Sequence, residues 1–582
     1  MCARLADVVM APRTQLQPDR VVTAVNVADL VRRAAQDAPD HLALVAGGDR
    51  LTWAELDREV DAVAAAWSGA GLVTGFRVAL AMSNSLEFVT AYFGALRAGV
   101  VAVPLNPAGT AQEIGSMLAA VKARVVLADD SSVAAVRAAV DELAGAGGPA
   151  LDADAVPVVV PVGVASRPGE RSYDELLAAA SSAPAVPPAD PETLAVLLFT
   201  SGAASPPVML THRALLANLD QLAAIDPPVM TPADVVLGVL PMCHVYGLNA
   251  VLGMVARVAG TLVLVRRFTP EGSLDLVAAE HVTNVPAVPT VFASWLRTVA
   301  DDAELARRLV GVRLLVSGAA PLPPSLLSAL RAATGLVVQE GYGLTEAGPV
   351  VTSTLCSAGA APETAGPAGA TGATGSAESP ETAETPDEAP AHAHPTGRAK
   401  HTVGAPLPGV ELRIVDETGA DVEAGEPGQV LVRGPNLFSG YWPDGADAPG
   451  EKGWLATGDI GYLDEDGDLV LVDRIKELVI VSGFNVYPRE VEEAIAEVDG
   501  VAEVAVVAMP DPQTGEAVRA YVVPAAGAQV SAEDVRRHCE VRLARFKRPS
   551  VVEIVPELPR SVTGKVAKAS LRRAARESAI GF

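Results

Sequence analysis

The chain is short of cysteine, of aromatic residues and of positive charge. Four cysteines occur in 582 residues, Cys2, Cys243, Cys356 and Cys539. No two stand at the spacing of a metal knuckle or redox pair, which argues against a zinc site or disulfide framework and fits a reducing, cytoplasmic setting. Lys and Arg number 44 against 70 Asp and Glu, a formal net charge of −26. Such a surface repels nucleic-acid phosphates and anionic membranes, so no nucleic-acid partner is expected. Small anions need only a local positive site. The opening MCARLADVVMAPRTQLQPDR lacks the uninterrupted apolar core of a signal peptide. Long apolar runs are scarce too. Val235 to Ala256 carries no Asp, Glu, Lys or Arg and has the length of a membrane span. Pro241, His244, Asn249 and three glycines break it into strand, loop and helix, so no transmembrane segment is predicted.

What is present is alternation. FRVALAMSN, from Phe76, reads as a buried strand. Ser85 then caps a helix with Leu86, Val89, Phe93 and Leu96 at helical spacing, and Gly99 stops it. VVAVPLN and RVVLADD follow as further strands. LAVLLFT, VVLGVLP, GTLVLV and VRLLVSG are continuous apolar runs, as expected of parallel strands covered on both faces. Ligands in such sheets sit at the carboxyl ends of strands, so LLFT-SG, VLP-MCH and LLV-SGAAP are predicted to point into one crevice. Residues 357–399 lack large apolar side chains and cannot bury a core, which predicts a disordered insertion. His392 and His394 within it are not read as a metal site. VELRIVD and QVLVRG are alternating strands. EVEEAIAEV puts Val491, Ile495 and Val498 on one helix face, between strands of a compact terminal α+β unit.

Three stretches have chemistry in reach. GYGLTE, Gly341 to Glu346, follows a strand with a glycine-rich turn that lets a flat base approach near Tyr342. Thr345 and Glu346 add hard oxygens suited to Mg²⁺. Asp459, after a Thr-Gly turn, can accept the hydroxyls of a ribose. Lys565, behind the Thr-Gly pair of LPRSVTGKVAKASLRR, can reach an anion from a flexible turn. Each has an ordinary alternative: a plain turn, a solvated strand edge, a solvated lysine.

Taken in order, LFTSG, LPMCHVYG, SGAAPLP, GYGLTE, TGD, VDRIKE, SGFNVYPREVEE and PRSVTGK resemble the adenylate-forming superfamily. The likeness runs from about Leu30 to Arg573 apart from the insertion. SGFNVYPREVEE and FGALRAGVVAVPLNP are most similar to its fatty-acyl and aryl-CoA ligase branch. The resemblance implies a large N-terminal domain of parallel-sheet α/β subdomains, 1–473, joined by a hinge to a small C-terminal α+β domain, 474–582. It implies an acyl-CoA synthetase. A carboxylate attacks the α-phosphate of ATP, giving an acyl adenylate and pyrophosphate; the thiol of coenzyme A then takes the acyl group and AMP leaves. Lys565 would bridge carboxylate and phosphate, and Glu346 with Thr345 would hold Mg²⁺. Asp459 and Arg474 would hold the ribose. Tyr342 and Gly343 would stack on adenine, with Gly318 and Ala319 on its far side. Lys476 matches the hinge, Ser482 and Gly483 the pantetheine path, and His244, Tyr246 and Ala347 the acyl pocket.

One motif departs from the pattern. The superfamily has TSG-[ST]-[ST]-G-x-P-K-G around the outer phosphates; this chain has TSGAASPPVMLTH. Thr200, Ser201 and Gly202 match and Ser205 supplies a hydroxyl, but lysine and two glycines are missing and the loop is shorter. Each lost hydrogen bond to a charged group is worth on the order of 1.5–3 kcal/mol. Two alternatives follow: a non-catalytic descendant that binds an acyl group, nucleotide or partner, and an enzyme that passes its acyl group to a carrier-protein thiol. The retained Lys565, Glu346, Asp459, Arg474 and Lys476 favour a working ligase. A medium or long fatty acid is the first expectation for the substrate, an aryl acid the second.

Overall fold

The computed structural model describes residues 24–145, 156–180, 190–200, 206–299, 302–357, 402–474, 477–481, 484–511, 514–543, 545–560 and 565–580. The insertion expected over 357–399 lies, apart from Ser357, outside them.

The alternation predicted from sequence folds into two stacked α/β sheets. In the first, Val158–Pro161, Val125–Ala128, Arg77–Ala81, Val101–Pro104 and Leu194–Leu198 lie parallel in that order, and Val208–Thr211 closes the edge antiparallel. The runs VVLA and VAVP are buried at every position, which is why they show no polar alternation. The helix Leu86–Arg97 starts where expected, with Ser85 Oγ accepting the Phe88 N–H at 3.2 Å. Gly99 follows its end at φ 74°.

The second sheet has nine strands. Six are parallel neighbours: Leu42–Ala46, Thr261–Leu264, Val235–Gly238, Asn284–Ala287, Leu314–Ser317 and Val338–Gly343. Asp49–Thr52 edges it on one side, Val350–Ser353 and Ala405–Pro406 on the other, all antiparallel. A single apolar cluster joins the two sheets, containing Phe88 and Phe93 from one and Leu240, Phe292 and Phe438 from around the other. The uncharged stretch after Val235 is strand, loop and helix, as read. Among the described residues no helix is long and apolar enough to cross a membrane.

Beyond these, Glu411–Val415, Gly428–Arg433, Leu455–Leu463 and Leu469–Arg474 form an antiparallel sheet. The last stretch of chain makes another, built on the long pair Val501–Asp511 and Gly515–Pro524 with Val551–Ile554 alongside. The helix Pro488–Ala496 packs Val491 and Ile495 under it, both fully buried. Val498 lies past the end of that helix and is only half-buried, because the helix runs from Pro488 to Ala496, two residues ahead of the EVEEAIAEV stretch read from sequence.

Candidate active site

The loop after Val235–Gly238 is held from the neighbouring sheet. Asn84, just past Arg77–Ala81, donates to the carbonyls of Gly238 (3.1 Å) and Leu240 (2.9 Å) and accepts from the Met242 N–H (3.0 Å). One buried amide thus fixes the path of LPMCH at the carboxyl ends of strands from both sheets. The chain then winds into a wide π-helical stretch, Tyr246–Gly253, a geometry common at functional sites. Asn249 within it donates to the carbonyls of Leu215 (3.1 Å) and Gly348 (2.7 Å).

His244 is thereby half-buried. Burial, followed by the charge of Lys565, lowers its pKa to about 4, so the ring is neutral at pH 7. Tyr246 lays its ring on Gly318: a Cβ there would stand 3.1 Å from Tyr246 Cε1. A side chain there would push the ring outward by a few tenths of an ångström. The next residue, Ala319, holds φ 66°, a turn forced just beyond Leu314–Ser317. Among the described residues neither Tyr246 Oη nor Ser317 Oγ, both buried, has a hydrogen-bond partner.

GYGLTE differs from the turn read in sequence. Gly341, Tyr342 and Gly343 belong to the strand and pair with Ser353, Thr352 and Val350. Gly343 is required by the backbone, since a Cβ there would meet the Pro349 carbonyl at 2.1 Å. Tyr342 is buried and donates its hydroxyl to Asp459 Oδ2 at 2.5 Å. Asp459 pairs in turn, through the backbone, with Arg474 on the adjacent strand. Two of the residues singled out from sequence, Tyr342 and Asp459, are thus in contact. Thr345–Ala347 is a single 3₁₀ turn. Its Glu346 is gripped twice: Tyr441 donates to Oε1 at 2.7 Å and the Phe438 N–H to the main-chain carbonyl at 2.9 Å. Ala347 is fully buried, and its carbonyl accepts from Asn436 Nδ2 at 2.7 Å.

Thr200 is exposed at the mouth of the shortened loop; Ser201, Gly202 and Ser205 lie outside the described residues. The strand after that loop is bound to the segment that grips Glu346: Met209 N–H to the Gly440 carbonyl (3.1 Å), Ser439 N–H to Met209 (3.0 Å) and Trp442 N–H to Pro207 (2.9 Å). Lys565 projects from the terminal unit, exposed, yet close enough to His244 for its charge to depress that pKa. Lys476, Ser482 and Gly483 lie outside the described residues.

Among the described residues no three His, Cys, Asp or Glu side chains gather around a metal position. The lone Glu346 carboxylate, with one oxygen hydrogen-bonded to Tyr441, fits the mode in which Mg²⁺ takes one protein carboxylate and completes its shell with water and substrate phosphates.

Sequence reasoning passed over Asn84, Asn249, Asn436 and Tyr441. Tyr441 had a readable signal, a tyrosine directly after Gly440 in NLFSGYWPD. The asparagines had none, because their partners are carbonyls distant in sequence.

Two α/β sheets that share one apolar cluster, followed by a small α+β unit, are the fold of adenylate-forming enzymes. Residues 31–442 match the family of AMP-binding enzymes, and 490–565 match the AMP-binding enzyme C-terminal domain. The chain is 32% identical to 4-coumarate–CoA ligase-like 9 of Oryza sativa subsp. japonica over 96% of its length and 94% of that protein's. It is 31% identical to a long-chain-fatty-acid–CoA ligase of Yersinia pestis, covering 96% and 95%. The crystal structure of ATP-bound MatB from Rhodopseudomonas palustris superposes with a TM-score of 0.78 at 31% identity, covering 95% of this chain and 99% of that one. The chain belongs to the AMP-binding enzyme family, among its ATP-dependent acid–thiol ligases.

Proposed function

We propose that this protein joins a medium- or long-chain fatty acid to coenzyme A by way of an acyl adenylate. Two observations support the reading: Tyr342 and Asp459 are in contact, and Lys565, on the terminal unit, lies within electrostatic reach of His244 on the LPMCH loop. A carboxylate and a polyphosphate repel each other, and fixed positive charge where they meet is the remedy. Lys565 holds the substrate carboxylate against the α-phosphate. The carboxylate oxygen forms the new P–O bond, and the bond to pyrophosphate breaks. Tyr342 and Gly343, with Gly318 and Ala319 opposite, receive the adenine; Asp459 and Arg474 receive the ribose. Thr200, Ser201, Gly202 and Ser205 reach the outer phosphates. Glu346, oriented by Tyr441 and aided by Thr345, holds Mg²⁺, which supplies charge neutralisation when bound. His244, Tyr246 and Ala347 face the acid. Neutral His244 adds no charge that would compete with Lys565 for the carboxylate.

In the second step the thiol attacks the acyl carbonyl and AMP leaves. The unit 474–582 turns about Lys476, withdrawing Lys565 and bringing Ser482 and Gly483 to the pantetheine path. One observation favours an aryl acid with a polar substituent: the buried hydroxyls of Tyr246 and Ser317, which lack protein partners among the described residues. The shortened phosphate loop predicts a raised KM for ATP.

The test is acid-dependent pyrophosphate exchange into ATP across a panel of fatty and aromatic acids, beside Lys565→Ala. Exchange that the variant loses supports the reading and identifies the acid class. A folded protein that exchanges with no acid is a binding protein instead. Acyl transfer to a carrier-protein thiol but not to coenzyme A would replace the acceptor.

A further inference from the structure

Lys568 follows Lys565 by three residues and opens the helix Lys568–Ile580. Its side chain is only 16% exposed, and its ammonium lies 2.9 Å from Glu477 Oε2 and 2.8 Å from Glu492 Oε1. The three residues come from separate stretches. Glu477 directly follows Lys476. Glu492 lies within Pro488–Ala496, and its Oε1 also accepts the Val506 N–H at 2.7 Å from the strand Val501–Asp511. Lys568 ends the loop that carries Lys565. That loop is stitched at its base by the Arg560–Val566 bridge and by the Ala567 N–H to the Pro559 carbonyl at 2.7 Å. Asp473, on the other side of Lys476, accepts the Arg489 N–H at 3.0 Å where the helix begins, and its charge also bears on Glu492.

Burial would strip the Lys568 proton, but Glu492 and Glu477 outweigh it and hold the pKa above the ordinary lysine value. Burial raises the pKa of Glu492, against the pull of Lys568. A half-buried ion triad contributes little stability over apolar replacements of the same volume. What it supplies is geometry: one ammonium fixes three segments at defined distances.

Building on the assignment of Lys565 above, we propose that Lys568 is a positioning residue for the adenylation step. Through Glu477 and Glu492 it fixes the base of the Lys565 loop within the terminal unit, so that Lys565 is held where adenylation needs it. Lys568 touches no substrate in this scheme. It acts through Lys565 alone, and its loss should affect only the half-reaction that Lys565 serves.

The experiment uses the full chain as wild type, Lys568→Met, Lys568→Arg, Glu477→Gln, Lys565→Ala and the Lys565→Ala/Lys568→Met double variant. Pyrophosphate exchange, with an acid the wild type accepts, reads the first half-reaction. Thioester formation from the synthetic acyl adenylate reads the second. Glu477→Gln and Lys568→Met should lower exchange about 10- to 100-fold, the range for a reacting group displaced by about 1 Å. Both should leave the second half-reaction within about 3-fold, and Lys568→Arg should recover most of the exchange. The double variant should be no slower than Lys565→Ala alone. Equal loss in both half-reactions, or a further drop in the double variant, would overturn the proposal. Should Lys568→Met not fold, Glu477→Gln decides, since it keeps the Lys568–Glu492 pair; wild-type exchange in it overturns the proposal. Wild-type exchange by Lys565→Ala would instead remove the role given to Lys565 itself.

Discussion

At the scale of single residues, the site depends on side chains that orient others. Tyr441 is one. Its hydroxyl donates to Glu346, and burial together with that carboxylate keeps its own proton on, with a pKa raised well above the usual phenol value. Tyr441→Phe leaves the ring but frees the carboxylate to rotate. We expect exchange to fall about 10-fold, on the scale of one charge-assisted hydrogen bond, with half-maximal activity at higher Mg²⁺; a Mg²⁺ titration of exchange checks both. Tyr246 is a different case, since its buried hydroxyl has no partner among the described residues. An unsatisfied hydroxyl costs roughly 1–3 kcal/mol. Tyr246→Phe should therefore raise the melting temperature of the free protein, while lowering kcat/KM for acids bearing a hydrogen-bonding substituent more than for plain ones. Unchanged stability and unchanged acid preference would show that the hydroxyl does neither. Of these two residues, Tyr246 was legible in LPMCHVYG, whereas the role of Tyr441 depends on a partner 95 positions away.

At the scale of elements, loops that look free are pinned by buried amides. The LPMCH loop hangs on Asn84, which makes three hydrogen bonds to it from the other sheet. Asn84→Ala would leave two carbonyls and an N–H without that partner. The expected cost is about 3 kcal/mol in chemical denaturation, with a KM for the acid raised several-fold as His244 and Tyr246 loosen. Titration of acid at saturating ATP checks the second part. Asn436 does the same for the Glu346 turn: it donates to the Ala347 carbonyl and accepts from Gln221 Nε2 at 3.2 Å. Gln221 stands on the helix His212–Ala223, which follows the shortened phosphate loop. The turn that carries the carboxylate and the helix His212–Ala223 are thus linked through side chains.

At the scale of the whole molecule, proton uptake on unfolding sets the acid limit. His212 is buried, its Nδ1 accepts the Val27 N–H at 3.1 Å, and burial lowers its pKa to about 4. His244 is lowered to a similar value. Both lie below the ordinary histidine value near 6.5. Between those two values the unfolded chain takes up protons that the folded chain refuses, so stability falls as pH drops from about 6.5 towards 4. For His212 alone the full loss is about 3 kcal/mol. Urea unfolding should show about 2 kcal/mol of that loss between pH 7.5 and pH 5, and His212→Gln should lessen it while costing some stability at both values. An equal pH dependence in wild type and variant would assign the effect to carboxylates instead.

Sequence by itself determined the class of fold and the order of the chemistry. Continuous apolar strands alternating with capped helices can only be buried as layered α/β sheets, and the motif order along the chain is local information. Lys565, Glu346, Asp459 and the His244 loop could be named for that reason. The tertiary structure alone decided what those residues touch. Tyr342 reaches Asp459 across 117 positions, and Gly343 has the carbonyl of Pro349 where a side chain would stand. Asn84 and Asn436 look like any surface asparagine until their carbonyl partners arrive. Lys568 reads as a solvated terminal lysine until the fold closes two carboxylates around it. Hydrophobic periodicity is written in neighbouring residues, whereas hydrogen-bond and ion-pair partners are chosen by packing, and packing has no signature in a local stretch of chain.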